Sequence, residues 1–394
     1  MALQFIDQID VSGKKALVRC DFNVPLKNGE ILDTTRIDLA LPTIKYLIEN
    51  KASKIVLMSH LGRPKGEVNK DLSLEPVADY LAEKLGKSVV LTESAVKNGI
   101  KELLTLPDIK ILLLENLRFH KEETANDESF AKELAEYGDI YINEAFGAAH
   151  RKHASVHSVI KFFPRQAYAG FLMKKEIESL DKLVNSKKKP SVGIIGGAKV
   201  SDKIKTIEKL MVSADKILIG GAMAYPFLKQ KGFNIGKSLC SDEDVTLAQS
   251  ILRRDTAGKI TLPVDHLTSK EFGGSPIECN SQEIPEDEMG LDIGSKTIEQ
   301  YSNIIGEAKT IFWNGPMGLF ENQDFANGTM KVCEAVANNS GAYSLVGGGD
   351  SVSAVKKSGL DSSFSHVSSG GGASLEYIEN SSLPGISALK FGVN

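Results

Sequence analysis

Short apolar runs alternate with longer amphipathic stretches along the whole chain. In the first half the clearest runs are Ala16-Leu17-Val18-Arg19-Cys20, Lys54-Ile55-Val56-Leu57-Met58, Ile111-Leu112-Leu113-Leu114 and Asp139-Ile140-Tyr141-Ile142. Each is short and β-branched or leucine-rich, as strands covered on both faces are. Between two of them, Val77, Ala78, Leu81, Ala82 and Leu85 recur at three- and four-residue spacing, which predicts a helix from Glu75 to Leu85. Such alternation predicts an α/β fold with parallel sheets flanked by helices.

Met173 to Ser186 predicts a further helix, with Ile177, Leu180, Leu183 and Val184 on one face. Lys187-Lys188-Lys189-Pro190 ends it, because proline disfavours helix at the residue before it. This helix reads either as a connector between halves or as one more crossover helix of a single large domain. The alternation resumes at Ser191–Ile195, Lys216–Ile219, Lys259–Leu262, Thr310–Trp313 and Ala342–Val346. Residues 381–394 contain a Pro-Gly turn and no long periodic element. The expected division is 1–172, a connector and second domain at 173–380, and a terminal segment at 381–394.

A chain of 394 residues suits two or three domains. Lys and Arg total 47 against 51 Asp and Glu, so nothing in the charge balance points to nucleic acid. An anionic ligand therefore requires a local cluster of bases. The four cysteines stand apart, which reads as buried thiols in a reducing compartment. The amino terminus lacks the basic and apolar regions of a signal peptide, and no apolar run approaches the roughly 20 residues that cross a bilayer. The expectation is a cytoplasmic protein with no membrane partner.

Ligands of open α/β sheets sit outside the carboxyl ends of the strands. In the first half those ends carry Arg19-Cys20-Asp21-Phe22-Asn23, Ser59-His60-Leu61-Gly62-Arg63, Glu115-Asn116-Leu117-Arg118 and the stretch from Asn143 to His153, including Arg151. A parallel sheet brings Arg63, Arg118, Arg151 and several histidines to one rim, and Arg36 adds a guanidinium from a nearby loop. Arginine's planar fork matches phosphate and carboxylate oxygens. Any one of these arginines can instead be a surface ion pair; the set, each directly after a strand, argues for a small ligand with more than one negative group.

In the second half the strand ends carry glycine: Gly196-Gly197, Gly220-Gly221, Asn314-Gly315, Gly347-Gly348-Gly349-Asp350-Ser351 and Gly370-Gly371-Gly372. Glycine lets backbone amides approach an oxyanion, and a helix amino terminus adds partial positive charge. Several such turns suggest a nucleotide's polyphosphate, although one glycine turn alone is as well explained as a tight link. Neither a P-loop nor a G-x-G-x-x-G spacing is present, which weighs against both of those site types. Lys199 and Lys203 flank an expected helix start at Ser201. Asp350, after three glycines, suits a carboxylate on Mg²⁺, which typically takes one or two carboxylates plus phosphates and waters.

Taken together, Val18 to Leu26, Ser59 to Gly66, Leu114 to His120, Gly196 to Lys203, Trp313 to Glu321, Gly347 to Ser351 and Gly370 to Glu376 closely resemble the phosphoglycerate kinase family, in order along almost the entire chain. The resemblance implies two Rossmann-like lobes joined by a hinge helix, with the terminal segment returning to the first lobe, and a monomer. It implies 3-phosphoglycerate or 1,3-bisphosphoglycerate at Asp21, Phe22, Asn23, Arg36, Ser59, His60, Leu61, Gly62, Arg63, Arg118 and Arg151. It implies ATP or ADP at Gly197, Lys199, Lys203, Gly221, Asn314, Glu321, Gly348, Gly349, Asp350 and Ser351, with Mg²⁺ at Asp350. Arg36, Lys199, Lys203, Gly371 and Gly372 are the implied catalytic set. The chain departs from the family pattern at Ala222, Pro226, Glu144 and Lys152, and at Ser351 and Ser369, where serine for threonine leaves a hydroxyl available.

The reaction so implied passes a phosphoryl group from an acyl phosphate to ADP. Both the carboxylate and the phosphate oxygen are ionised nucleophiles at neutral pH, so no general base is needed. Catalysis becomes positioning and charge stabilisation, with the lobes closing to exclude water. Two other readings remain: a nicotinamide-dependent oxidoreductase, and a two-lobed anion receptor without catalysis.

Overall fold

A computed structural model describes residues 2–393. The first sheet comprises β1 (Lys15–Arg19), β2 (Lys54–Met58), β3 (Val89–Leu91), β4 (Ile111–Leu113), β5 (Ile140–Asn143) and β6 (Ala167–Ala169), all parallel in the order β3-β4-β2-β1-β5-β6. Alternate residues of each strand feed opposite cores. Val18, Ile55 and Leu57 pack with Ile37, Ile44 and Val77, whereas Leu17, Val56 and Met58 pack with Phe130, Leu134 and Tyr141. Burial on both faces is why these segments read as unbroken apolar runs. The strand order reverses between β1 and β5, so the crevice at the carboxyl ends of those two strands is the natural ligand position.

The second sheet repeats the plan with β7 (Ser191–Ile195), β8 (Lys216–Ile219), β9 (Ile260–Thr261), β10 (Thr310–Asn314), β11 (Tyr343–Val346) and β12 (His366–Val367). Its parallel order is β9-β8-β7-β10-β11-β12, with the switch between β7 and β10. Lysines stand at the opposite, amino-terminal rims for a local reason. Lys259 Nζ donates to Met211 O at 2.7 Å and Lys189 Nζ to Ser213 O at 2.9 Å, while Lys54 donates to Leu106 O and Ile109 O. Those carbonyls lie at or just beyond helix C-termini, where orphan acceptors and the negative dipole end favour a cation.

Several local expectations are corrected. A three-stranded antiparallel sheet, His266–Ser269, Ile277–Cys279 and Met289–Ile293, is present in addition to the parallel ones; its polar first strand carries no apolar signature. Pro384-Gly385 does not make a turn but opens a helix, Pro384–Phe391, because proline's fixed φ suits a first helical turn. That helix buries Ile386 and Ala388, and Gly385 N donates to Ala149 O at 2.9 Å. Cys20 and Cys333 are buried free thiols, but Cys240 and Cys279 are only half-buried.

The chain separates into two compact units, Met1–Glu178 with Ser382–Asn394, and Ser179–Ser381. The division falls inside the helix Phe171–Val184, which starts two residues before the expected Met173. Its first turn is held by Glu144, whose Oε1 accepts from Thr43 Oγ1 at 2.7 Å and from Leu172 N at 2.8 Å. Among the described residues no helix is long and apolar enough to cross a membrane.

Candidate active site

In the first unit the carboxyl ends of β1, β2, β4 and β5 are stitched together by side chains. Phe22 N donates to Ser59 Oγ at 2.8 Å and Gly62 N to Asn23 Oδ1 at 2.8 Å, joining the loops after β1 and β2. Asn116, fully buried after β4, accepts from Leu61 N and donates to Leu61 O, at 3.2 and 2.8 Å. Gly62 takes φ +63° there, and a Cβ on it would lie 2.8 Å from Leu72. The loop carrying Ser59, His60, Leu61 and Gly62 is therefore rigid before any ligand arrives.

The cations collect on this frame. Arg118 Nη1 donates to Gly62 O at 2.8 Å, while its buried Nε has no partner among the described residues. Burial, then Arg19 beside it, lowers its pKa to about 10. Arg36, in the first turn of the helix Thr35–Glu49, puts Nη1 on Asp21. His60 is held well below the usual histidine range by burial and then by Arg19, Arg118, Arg36 and His153. His153 is likewise lowered to about 4 by burial, then by Arg19, Arg118, Arg151 and His150. Arg63 acts on Arg118 in the same way. These mutual influences put Arg36, Arg63, Arg118 and Arg151 in one field. Arg63 and Arg151 are exposed and, among the described residues, make no side-chain hydrogen bond or ion pair. A patch so short of counter-charge is built for an anionic ligand.

Three buried residues of this rim were not singled out from sequence: Arg19, Glu123 and Ser155, all fully buried and mutually bonded. One signal existed, an arginine inside the apolar run Leu17-Val18-Arg19-Cys20, which demands a buried partner. Glu123, in Lys121-Glu122-Glu123, offered none.

In the second unit the glycines divide into two kinds. A Cβ on Gly315 (φ +95°) would lie 2.0 Å from Gly196 O, one on Gly221 (φ +68°) 2.7 Å from Gly197 O, and one on Gly348 2.3 Å from Asn314 Nδ2. These positions let the turns after β7, β8, β10 and β11 touch. Gly349, Gly371 and Gly372 instead face open space, and Gly197 meets only the Lys203 side chain at 4.0 Å. Gly349 and Gly372 begin the helices Gly349–Ser358 and Gly372–Asn380, so unobstructed amides stand at two helix amino termini.

Lys203 lies beside them. The expected helix start at Ser201 is displaced to Ile204, with Lys203 as the capping residue, and Ser201 N donates to Asp244 Oδ1 at 2.9 Å. Lys203 Nζ donates to Asn314 Oδ1, and Asn314 Nδ2 to Gly347 O. Burial lowers the Lys203 pKa, opposed by Asp202, Asp350 and Glu379. Thr206 Oγ1 donates to Glu379 Oε1 at 2.6 Å, tying the Lys203 helix to the one beginning at Gly372. Lys199, Glu321 and Asp350 are exposed. Ser351 does not present an available hydroxyl: it is fully buried and its Oγ accepts from Gly315 N.

Asp350 fits the carboxylate expected beside a nucleotide-bound Mg²⁺, being exposed in the first turn of its helix next to the open Gly349. No group of three or more potential protein ligands for a metal occurs among the described residues. The cation patch belongs to one unit, and Lys203, Asp350 and the open helix ends belong to the other.

Two parallel α/β sheets, one rimmed by arginine and histidine and one by helix amino termini and a lysine, define an enzyme class that handles small phosphorylated anions and nucleotides. The phosphoglycerate kinase family model matches residues 6–381, and the chain belongs to that family. It is 50% identical to the phosphoglycerate kinase of Anaeromyxobacter sp. (strain K) over 398 residues, covering 99% of this chain and all of that one. Identity to the Borrelia duttonii (strain Ly) enzyme is 47% over 395 residues, with 99% and 100% covered. The solved phosphoglycerate kinase of Coxiella burnetii superposes with TM-score 0.89 at 36% identity over the full length of both chains. That of Pyrococcus horikoshii OT3 gives 0.85 at 33%, covering 99% of each. The chain is thus a glycolytic kinase that transfers phosphate between a carboxyl group and an adenine nucleotide. The oxidoreductase and receptor readings fall.

Proposed function

We propose that the first unit's cation patch holds 3-phosphoglycerate or 1,3-bisphosphoglycerate, and that the second unit's open helix ends hold MgADP or MgATP. The observation that carries this reading is the partition just described: uncompensated guanidinium groups in one unit, open helix amides with Lys203 and Asp350 in the other. Arg63, Arg118 and Arg151 bind the anionic groups of the three-carbon acid, with Asn23, Ser59 and Gly62 shaping the loop around them. Gly197, Lys199, Gly349 and Glu321 surround the nucleotide, while Gly221, Gly348, Asn314 and Ser351 hold its turns in place.

In the forward direction an oxygen of the ADP β-phosphate bonds to the acyl phosphorus. The bond from that phosphorus to the carboxyl oxygen breaks, and the carboxylate leaves with the electron pair. No proton moves. Lys203 and Arg36 stabilise the three equatorial oxygens, assisted by the amides of Gly371 and Gly372, while Lys199 supports the nucleotide phosphates. Asp350 would hold Mg²⁺, which when bound neutralises phosphate charge. Aligning the reacting oxygens and excluding water account for the rest of the rate. The test is an assay of ATP consumption. It should depend strictly on added 3-phosphoglycerate and on Mg²⁺; consumption without the acid, or unaffected by chelator, rejects the assignment.

A further inference from the structure

We propose that Arg19 is a positioning residue that fixes the His60 imidazole as its Nε2–H tautomer, so that His60 meets the acid substrate as a neutral hydrogen-bond donor. The donor role rests on the first unit's rim being the acid site; the tautomer assignment stands without it.

Arg19 Nη2 lies 3.2 Å from His60 Nδ1. A guanidinium only donates and does not lose its proton in proteins, so Nδ1 must present its lone pair. The single proton of a neutral ring is then on Nε2. That atom makes no hydrogen bond among the described residues and is not sealed from solvent.

Arg19 cannot swing away. Its Nε donates to Ser155 Oγ at 2.7 Å, Nη1 donates to Cys20 O, and Nη2 is 3.9 Å from Glu123 Oε1. Ser155 in turn donates to Glu123 through Oγ at 2.6 Å and through its amide at 3.0 Å, so its hydroxyl bridges the buried cation and anion. Tyr141 fixes the same residue from the other side by donating to Ser155 O at 2.8 Å. A fully buried charge pair with its remaining donors and acceptors filled has one geometry.

The charges facing His60 come from four elements: Arg19 on β1, Arg36 on the helix Thr35–Glu49, Arg118 after β4 and His153 after β5, with Asp21 engaged by Arg36. A second proton on the ring would place another positive charge among this set. Burial and those cations both favour the neutral ring at neutral pH. His60 then contributes direction to substrate binding, and the arginines contribute charge.

The test is ¹⁵N NMR of ring-labelled histidine in the free, full-length enzyme from pH 6 to 8. His60 should show a pyridine-like Nδ1 and a pyrrole-like Nε2 throughout; an Nδ1–H or doubly protonated ring at pH 7 overturns the proposal. Arg19 variants alone risk misfolding because Glu123 would be left unpaired, so the informative variant is R19Q with E123Q, which removes both charges together. In that protein, checked for fold by circular dichroism, His60 should populate both tautomers and titrate inside the window. KM for 3-phosphoglycerate should rise about tenfold and become pH-dependent, with KM for ATP unchanged. A ring that stays wholly Nε2–H there overturns the role of Arg19. If 3-phosphoglycerate fails to shift the wild-type His60 signals, the donor role and the reading of the rim are overturned while the tautomer survives.

Discussion

Arg36 places a single guanidinium nitrogen, Nη1, 3.1 Å from both carboxylate oxygens of Asp21. The arginine side chain is 38% exposed and the aspartate's 9%. Only Nη1 is engaged, and among the described residues Nε and Nη2 make no hydrogen bond, so they stay available to a ligand. A half-exposed ion pair is worth little to stability, which makes orientation its main consequence. Arg36→Ala should lower kcat by about 10²-fold or more, since it removes charge from the reaction centre. Asp21→Ala should cost about tenfold, because the guanidinium remains but loses its orientation. Equal losses in the two variants would contradict this division.

Lys203 spends one hydrogen bond on Asn314 and none on a carboxylate, although Asp350 and Glu379 are in its field. Lys203→Ala should reduce kcat by about 10²–10³-fold while changing MgADP affinity little. Steady-state kinetics beside calorimetric titration decide it. An unchanged kcat removes Lys203 from catalysis.

Arg63 is exposed and has no side-chain partner among the described residues, so its replacement should leave the fold intact. Arg63→Ala is expected to raise KM for 3-phosphoglycerate by about 10–100-fold, the range of a charge-assisted hydrogen bond, with KM for ATP unaltered. An effect confined to the nucleotide would place this loop in the wrong substrate's site.

The glycine contrast predicts two opposite phenotypes. Gly315→Ala forces a Cβ to 2.0 Å from Gly196 O at a positive φ, so it should destabilise the second unit by about 3 kcal/mol or more. Gly349→Ala meets nothing within 4 Å and should fold normally, yet weaken nucleotide binding by placing a methyl in front of the open amide. Thermal melts and ADP titrations of the pair separate packing glycines from ligand glycines.

Glu144 accepts only from neutral donors, and burial raises its pKa from 4.5 to about 7. The folded chain therefore binds more protons than the unfolded chain between those values, and stability falls as pH rises through the window, by about 3 kcal/mol at most. Glu144→Gln keeps an Oε1 acceptor for Thr43 and Leu172 and should flatten that part of the dependence. Asp292, raised by burial to about 7 in the second unit, supplies a slope that remains. Calorimetric Tm at pH 5 and pH 8 checks it; an undiminished slope in the variant rejects Glu144 as a source.

Local periodicity was enough to find β2 and β7 at their observed bounds and the helix Glu75–Leu85, because each buries a contiguous or regularly spaced apolar set. It missed His266–Ser269, a polar but largely buried strand whose sheet is formed with strands about 10–25 residues later. It also missed the helix Pro384–Phe391, whose buried face completes the first unit's core and has no strong pattern of its own. The cations at the strand ends were visible for a different reason: in a parallel sheet every strand's carboxyl end lies on the same edge, so position along the chain implies position on the rim.

Composition and order along the chain thus sufficed for the fold class and for an anion-binding rim beside glycine turns, since these depend on spacing within a few dozen residues and on residue type. The two lobes and the kinase chemistry came from the family resemblance. Which glycines pack and which stay open, why Ser351 is occupied, and how Arg19 reaches a histidine 41 positions away were settled when separate strand ends met. Contacts of that kind depend on which backbones cross and at what distance, and no pattern internal to one segment carries that information.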